Sequence, residues 1–552
     1  MIRKSLALLT LLACLPLAAT AQDDPTPQEP RPIAEEPAES KPGAEPAATP
    51  VDPISLRLTE AVSNGIENNL QLEVERYDPL IALEDQRGSW GSFDPKSQLE
   101  WDYLSQTDPV SANSLFGNER NRHKENKANL GIETLLPYLG ATLGVDLNVN
   151  ETRDIGNPFV SQRPVYDSGF TIRGSLPLLK GLIWNEPWTR VRTSAAAYDG
   201  SRENFRADLM NVVQFIETAY WDLVAQSQAV RVARKSLETA RSLLDQTQTQ
   251  YEVGVKSKVE VVEAEAGAAA REFDLIRAIN RHQKAQDDLI DAVFGTRLTA
   301  GSRLNIEPAD DPENYVHYDI DTEDAANEAL AKRPELAEAQ TAIEQQELQL
   351  KFAKNQRLPQ LDLRASYGTS GRRGEGVTSF NFQTGMNSPN PTTGNNVGDT
   401  FNDYWTNRGG EDLQVGAVFS IPLGNVSARH NVSKSALALR KAKAQLTRLR
   451  QDIILQVREE ARNLASAQEG IEAAERRRIA AAEQLRAEQV RLEYGESTPF
   501  KVLEKEQDLV EAENEKIGAL FTYRKSVIDL HRARGTILEA RNIVVDQAAA
   551  LR

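Results

Sequence analysis

Apolar residues recur every seven positions along one long stretch of the chain: Leu209, Ile216, Leu223, Val230, Leu237, Leu244 and Tyr251. A seven-residue period kept up this long makes helices supercoil left-handed against neighbours, because an ideal helix would drift off the seam. With Asn185 as N-cap and Pro187 in the first turn, the pattern predicts a rod from Pro187 to Tyr251 of about 97 Å. A second rod is expected from about Ser427 to Tyr494, with Val457, Leu464, Ile471, Leu485 and Leu492 in register and Arg478 as the break. Alanines beside both seams, among them Ala219, Ala233, Ala240, Ala461, Ala474 and Ala481, leave room for a second neighbour. Each rod ends at a glycine, Gly254 or Gly495, before a returning helix that starts near Ser257 or at Thr498-Pro499. Two antiparallel helical hairpins follow from this punctuation.

Elsewhere the period is two. Leu99, Trp101 and Tyr103 alternate with Gln98, Glu100 and Asp102; Leu143, Val145, Leu147 and Val149 alternate with Gly144, Asp146 and Asn148; Leu413, Val415, Ala417, Phe419 and Ile421 alternate with polar or small residues. Shorter patterns lie at Leu130 and Ile132, at Phe170–Leu176, and at Leu361, Leu363, Ala365 and Tyr367. These predict strands with one apolar and one hydrophilic face. Gly368–Glu411, rich in Gly, Asn and Thr, is expected as a long external loop rather than a strand pair, a partly ordered lid being the alternative.

The two halves of the chain repeat. Asn68–Leu72 matches Lys332–Leu336, and Pro95, Leu99 and Tyr103 match Pro359, Leu363 and Tyr367, all with residue numbers 264 apart. Farther on, Ser175–Leu178 resembles Ser420–Leu423, and Gly254 with Val261-Val262 resembles Gly495 with Val502-Leu503. The expected organisation is a first unit at 54–320 and a second at 321–545, followed by a tail at 546–552.

Residues 1–21 carry Arg3 and Lys4, an apolar run from Leu6 to Leu17 and Ala19-Thr20-Ala21, the plan of an export signal. Within it, Leu11–Cys14 approximates a lipoprotein cleavage box in which Cys14 would be acylated; Leu12 and the apolar Leu15–Ala19 fit that box poorly, and a plain apolar-run cysteine is the other reading. Residues 22–53, rich in Pro, Glu and Ala, read as a disordered spacer.

The 552 residues hold 64 Lys plus Arg against 81 Asp plus Glu, a net charge of −17, which opposes binding to nucleic acid. Cys14 is the one cysteine, so disulfides and cysteine zinc sites are excluded. With 6% aromatics, 26% charged residues and a mean hydropathy of −0.49, the balance suits solvent-bathed helices better than a thick aromatic core. His123, His282, His317, His430 and His531 are scattered without metal-ligand spacing, and Gly371, Gly374 and Gly376 form no phosphate-binding fingerprint. No catalytic constellation is visible, and no cofactor or metal is expected.

About nine to eleven residues suffice for a tilted strand to cross a bilayer, and no apolar run of helical spanning length follows the export signal. On alternation alone a soluble sandwich is the lesser, plain alternative. Export, acidity and the polar second face favour an outer-membrane barrel with a wet lumen, which few strands per chain can close only if several chains contribute.

The order of elements from Leu56 to Ile543 resembles the TolC family of outer-membrane efflux and secretion proteins. The features carrying this are Leu58–Ala61 with Asn68-Asn69, Arg333–Leu336, Leu358-Pro359 before a strand, Leu176–Gly181, Tyr251–Gly254 and Glu493–Gly495. The resemblance implies a mainly α fold with β: a homotrimeric β-barrel in the outer membrane, continued by a periplasmic α-helical coiled-coil tunnel, with internal duplication. It implies a passive exit duct serving a periplasmic adaptor protein and an inner-membrane pump, with lipid around the barrel. Val253, Gly254, Val255, Tyr494, Gly495 and Glu496 would lie at the periplasmic tip and meet the adaptor. Family members carry a ring of carboxylates six and nine residues after the second glycine; here those positions are Lys501 and Glu504, and the first-half equivalents are Glu260 and Glu263. The expectation is that Glu504, with Glu260 and Glu263 nearby, sets the tip charge, an ordinary exposed helix surface being the other reading. The chain departs from the simplest family pattern at Ala128–Glu133 and Ala141–Asn150, which leaves room for more than four strands per chain, a number the sequence leaves open. The rival from another class is a structural or adhesive coiled-coil protein of the envelope.

Overall fold

A computed structural model describes residues 54–108, 122–156, 160–295, 304–381, 383–406 and 409–543. The export signal, the Cys14 alternatives, the spacer and the 546–552 tail lie outside the described residues.

The chain opens with β1 (Ile54–Leu56), α1 (Leu58–Asn68) and α2 (Leu70–Ser89). Asn69 divides the two helices: its side chain accepts a hydrogen bond from Leu72 N at 3.0 Å, capping α2. Strands β2 (Lys96–Thr107), β3 (Arg122–Leu135), β4 (Thr142–Ile155) and β5 (Gln162–Pro177) follow, then α3 (Glu186–Glu252) and α4 (Lys258–Phe294). As expected, Asn185 caps α3, accepting from Trp188 N at 2.8 Å, with Pro187 in the first turn. Strand β6 (Ile306–Pro308) pairs in parallel with β1 and ties the two ends of this half together.

The second half begins with α5 (Thr322–Lys332) and α6 (Pro334–Gln356), and β7 (Gln360–Gly376) comes next. Each of these three starts 264 residues after α1, α2 or β2, as the sequence match requires. Beyond β7 lie β8 (Thr378–Asn381), β9 (Met386–Pro389), the short α7 (Gly398–Phe401), β10 (Gly410–Ser420), α8 (Val426–Glu493), α9 (Pro499–Arg534) and α10 (Ile537–Ala540). The two long helices have 67 and 68 residues and their returning partners 37 and 36.

The seven-residue series is the core. Leu209, Ile216 and Leu223 pack with Leu289, Val293 and Ile528 in one buried cluster; Leu464 and Ile471 pack with Leu520 and Tyr523 in another. Tyr251, last in the first series, is exposed beside the turn. Arg478, at the break in the second, pairs with Glu475 at 2.7 Å.

Among the described residues, six strands form one antiparallel sheet in the order β10-β7-β5-β4-β3-β2. The strand number per chain, which the sequence leaves open, is thus more than four. Because register runs straight across, Leu99, Leu130, Leu147 and Phe170 stand in one row, and Ile132, Val145, Ile172, Tyr367 and Leu413 in the next. The opposite face carries Lys96, Glu133, Arg173, Ser366 and Gln414 in one row. Arg173 pairs there with Glu133 at 2.8 Å and with Asp146. This polar face borders a recess of about 780 Å³ lined by Asp146, Thr171, Arg173, Arg364, Ser366 and Gln414.

One expectation is corrected. Gly368–Glu411 is not simply a loop: β7 continues to Gly376, β8 and β9 form a hairpin, and α7 packs back on the sheet. The glycines that interrupt the strand pattern are what permit the packing, since a Cβ at Gly371 would run into the Thr400 carbonyl oxygen. Arg373 pairs with the buried Asp403 and fastens this segment. No helix of the described residues is long and apolar enough to cross a membrane.

Candidate functional site

The turn between α3 and α4 and that between α8 and α9 are built alike. Gly254 has φ +78° and Gly495 φ +76°, the left-handed conformation that ends helices. Val255 N donates to Gln250 O and Glu496 N to Arg491 O, both at 2.8 Å, so each turn closes the carbonyls of its long helix in the same way. The glycines are needed for their backbone, since nothing lies within 4 Å of a Cβ placed on either.

The restart differs. Ser257 Oγ accepts from Glu260 N at 3.3 Å while Glu260 Oε2 accepts from Ser257 N at 2.9 Å, and Lys256 Nζ lies 2.9 Å from Glu260. The Ser257 amide, joined by Lys256, holds the Glu260 carboxyl below its usual range. At the other turn Pro499 occupies the first helical turn, and Ser497 Oγ donates to Glu488 Oε1 at 2.5 Å, which lowers the Glu488 carboxyl.

Both turns present apolar side chains to solvent: Val253 and Val255 are each 70% exposed and Tyr494 is 80% exposed. Val259, Val262 and Phe500 extend the two patches. These three were missed in the sequence, although an apolar residue off the buried face of a helix beside a turn was a readable signal.

Of the four charge positions, Lys501 and Glu504 are exposed on α9, Glu263 is half-buried on α4, and Glu260 is engaged by its own cap. The hairpins meet just above. Ala240, Ala268 and Leu503 form a small core, and a Cβ on Gly267 would come within 2.5 Å of Leu503. Ser236 donates to Glu506 Oε1 at 3.0 Å and Arg271 to Gln507 at 3.4 Å. The second oxygen of Glu506 has no partner, and burial raises this carboxyl against the opposing pull of Ser236 and Arg271. This tie was also unread, because it joins residues 270 apart in sequence.

The family model described as outer membrane efflux protein matches residues 121–293 and 325–536. The chain is 24% identical over 430 residues to the outer membrane protein TolC of Escherichia coli strain K12, covering 76% of this chain and 79% of that protein. It is similar in fold to the CmeC outer membrane channel of Campylobacter jejuni, with TM-score 0.60, 15% identity and coverage of 87% and 86% of the two chains. The open-state MtrE outer membrane channel of Neisseria gonorrhoeae is similar too, with TM-score 0.60, 15% identity and coverage of 87% and 89%.

Proposed function

The chain belongs to the outer membrane efflux protein family, and from that premise we propose that it is a passive exit duct of the outer membrane, working in a tripartite efflux or secretion system. Three copies join their sheets into one closed barrel and their helices into a periplasmic tunnel. The matching starts of α1, α2 and β2 with α5, α6 and β7, 264 residues on, support an internal duplication that lets three chains supply six similar units.

The observation that carries this reading is a sheet with one apolar face, one polar face and two unpaired edges, continued by helices of 67 and 68 residues. On β7 the face that carries Leu361, Leu363, Ala365, Tyr367 and Thr369 spans nine residues, enough for a tilted strand to cross the hydrocarbon layer. Polar rows on the other face suit a wet lumen.

The exposed Val253, Val255 and Tyr494, with Gly254, Gly495 and Glu496 shaping the turns, are the proposed contact for a periplasmic adaptor, behind which an inner-membrane pump supplies energy and cargo. Glu504 and Glu263, with Lys501 opposing them, are proposed to set the charge at this tip.

A photo-crosslinking residue in place of Tyr494 or Val253 is expected to capture the adaptor in cells, and deletion of the protein is expected to abolish export through that adaptor's pump. Normal export in the deletion strain would overturn the proposal.

A further inference from the structure

The corresponding strand pairs of the two halves are β2 with β5 and β7 with β10, by the matches of Pro95–Tyr103 with Pro359–Tyr367 and of Ser175–Leu178 with Ser420–Leu423. In the second half β7 and β10 are direct neighbours, and the segment between them stays outside the six-stranded sheet, β8 and β9 pairing with each other. In the first half β3 and β4 stand between β2 and β5 within the sheet. We infer that the β3–β4 hairpin is an insertion into the wall itself, which widens the shared barrel from twelve strands to eighteen. This rests on the trimeric duct proposed above.

Three observations fit the inference. Two strands added to an antiparallel sheet preserve its alternation, so β2 runs antiparallel to β5 whether or not the hairpin is present. Register is preserved as well: Leu99, Leu130, Leu147 and Phe170 share one row, and removing the middle two leaves Leu99 facing Phe170 on the same side. Finally, Arg173 of β5 reaches Glu133 of β3 and Asp146 of β4 on the polar face, binding both inserted strands into the wall.

The free edges specify the occupant. Strand β2 has 12 residues and β10 has 11, and neither contains proline or a bulge that would blunt it. With six strands per chain, β10 of one copy meets β2 of the next antiparallel. Their exposed Leu413, Val415 and Phe419, and Leu99, Trp101 and Tyr103, then continue a single apolar surface. Barrel diameter grows roughly in proportion to strand number, so eighteen strands give a mouth about 1.5-fold wider than twelve.

An electron-microscopy map of the full trimer purified from the outer membrane tests this directly. Eighteen strands, with β10 of each copy beside β2 of the next, are expected. A trimer with twelve strands and the hairpin displaced would overturn the inference and leave the duct intact; a monomer without a lumen would overturn both. Size-graded polyethylene glycol maleimides offer a second measurement, using Ser366→Cys in a Cys14→Ser background. The size limit for labelling from outside is expected to fall about 1.5-fold when a short turn replaces the hairpin. An unchanged limit in a folded, trimeric variant would contradict the wider wall.

Discussion

Ser236 on α3 donates its hydroxyl to Glu506 on α9 across 3.0 Å, in a site where both residues are buried. The contact joins the first helical hairpin to the second, and its carboxyl titrates above the usual range because burial disfavours the charge. An acid with a raised folded-state pKa binds its proton more tightly in the folded than in the unfolded chain. Its stabilising share is therefore full in acid and is lost as pH climbs from the ordinary carboxylate value through the raised one. Glu506→Gln is expected to flatten that slope in melting temperature against pH, whereas Ser236→Ala is expected to cost about 1–3 kcal/mol by leaving the carboxyl unpartnered. An identical pH slope in Glu506→Gln would refute the assignment.

Where α5 gives way to α6, the opposite sign applies. Arg333 reaches Glu335 at 3.0 Å and Arg532 of α9 reaches it at 2.7 Å. Burial would raise the Glu335 carboxyl, but Arg532 and Arg333 together hold it below its usual range. This share of stability is present above the unfolded value, near 4.5, and is lost as pH falls through the lower folded one. Glu335→Gln leaves two largely buried guanidinium groups short of a counter-charge, and a loss of about 2–4 kcal/mol is expected. Denaturant unfolding of the solubilised protein at neutral pH would measure it; a change below about 0.5 kcal/mol, the level of an ordinary surface substitution, would remove the argument.

The elements with long, uninterrupted periods were legible. Asn185, Gly254, Ser257, Gly495 and Pro499 each mark a boundary by a local rule, so the hairpins were readable to within a residue or two. The strands near Leu130 and Val145 were visible as short alternations, yet their full lengths were not, because Lys124, Asn126, Glu151 and Arg153 occupy their outer ends without an alternating pattern. From Gly368 onward glycines interrupt the alternation of β7, since they serve close packing by residues at least 14 positions away. At the candidate site the turn residues were readable, but Ser236 with Glu506 was not: nothing local marks a polar pair formed by packing two hairpins together.

Gly254 and Gly495 provide a test of the turns that is independent of any partner. Both need a positive φ, and both are sterically open, so replacement by Ala is expected to cost about 1–2 kcal/mol each through backbone strain alone. Asn, which tolerates the left-handed region, is expected to be milder at both positions. Equal melting temperatures for Ala and Asn variants would argue against strain as the cause.

The acidic positions near the turns should separate by role. Glu260 is bound to Ser257 and Lys256, so Glu260→Gln is expected to loosen the start of α4 with little change in ion selectivity. Glu504 is exposed, and Glu504→Gln is expected to weaken block by multivalent cations in single-channel recordings. Unchanged conductance and block in Glu504→Gln would remove this residue from the tip charge.

Adjacent residues on β7 give the sharpest test of which face meets lipid. Ala365 stands in the apolar row with Gly174 and Val415, and Ser366 in the polar row with Arg173 and Gln414. Ala365 is the middle of the five positions on this face from Leu361 to Thr369, which sets it near the centre of the hydrocarbon layer in the proposed barrel. There an arginine costs about 2–4 kcal/mol, while a lumen-facing charge adjusts selectivity with little effect on folding. Ala365→Arg is therefore expected to lower the stability of the barrel in lipid vesicles, and Ser366→Arg to leave stability intact while shifting the channel toward anions. The reverse result would mean that the polar rows face outward, and the sheet could not then be the wall of a membrane pore.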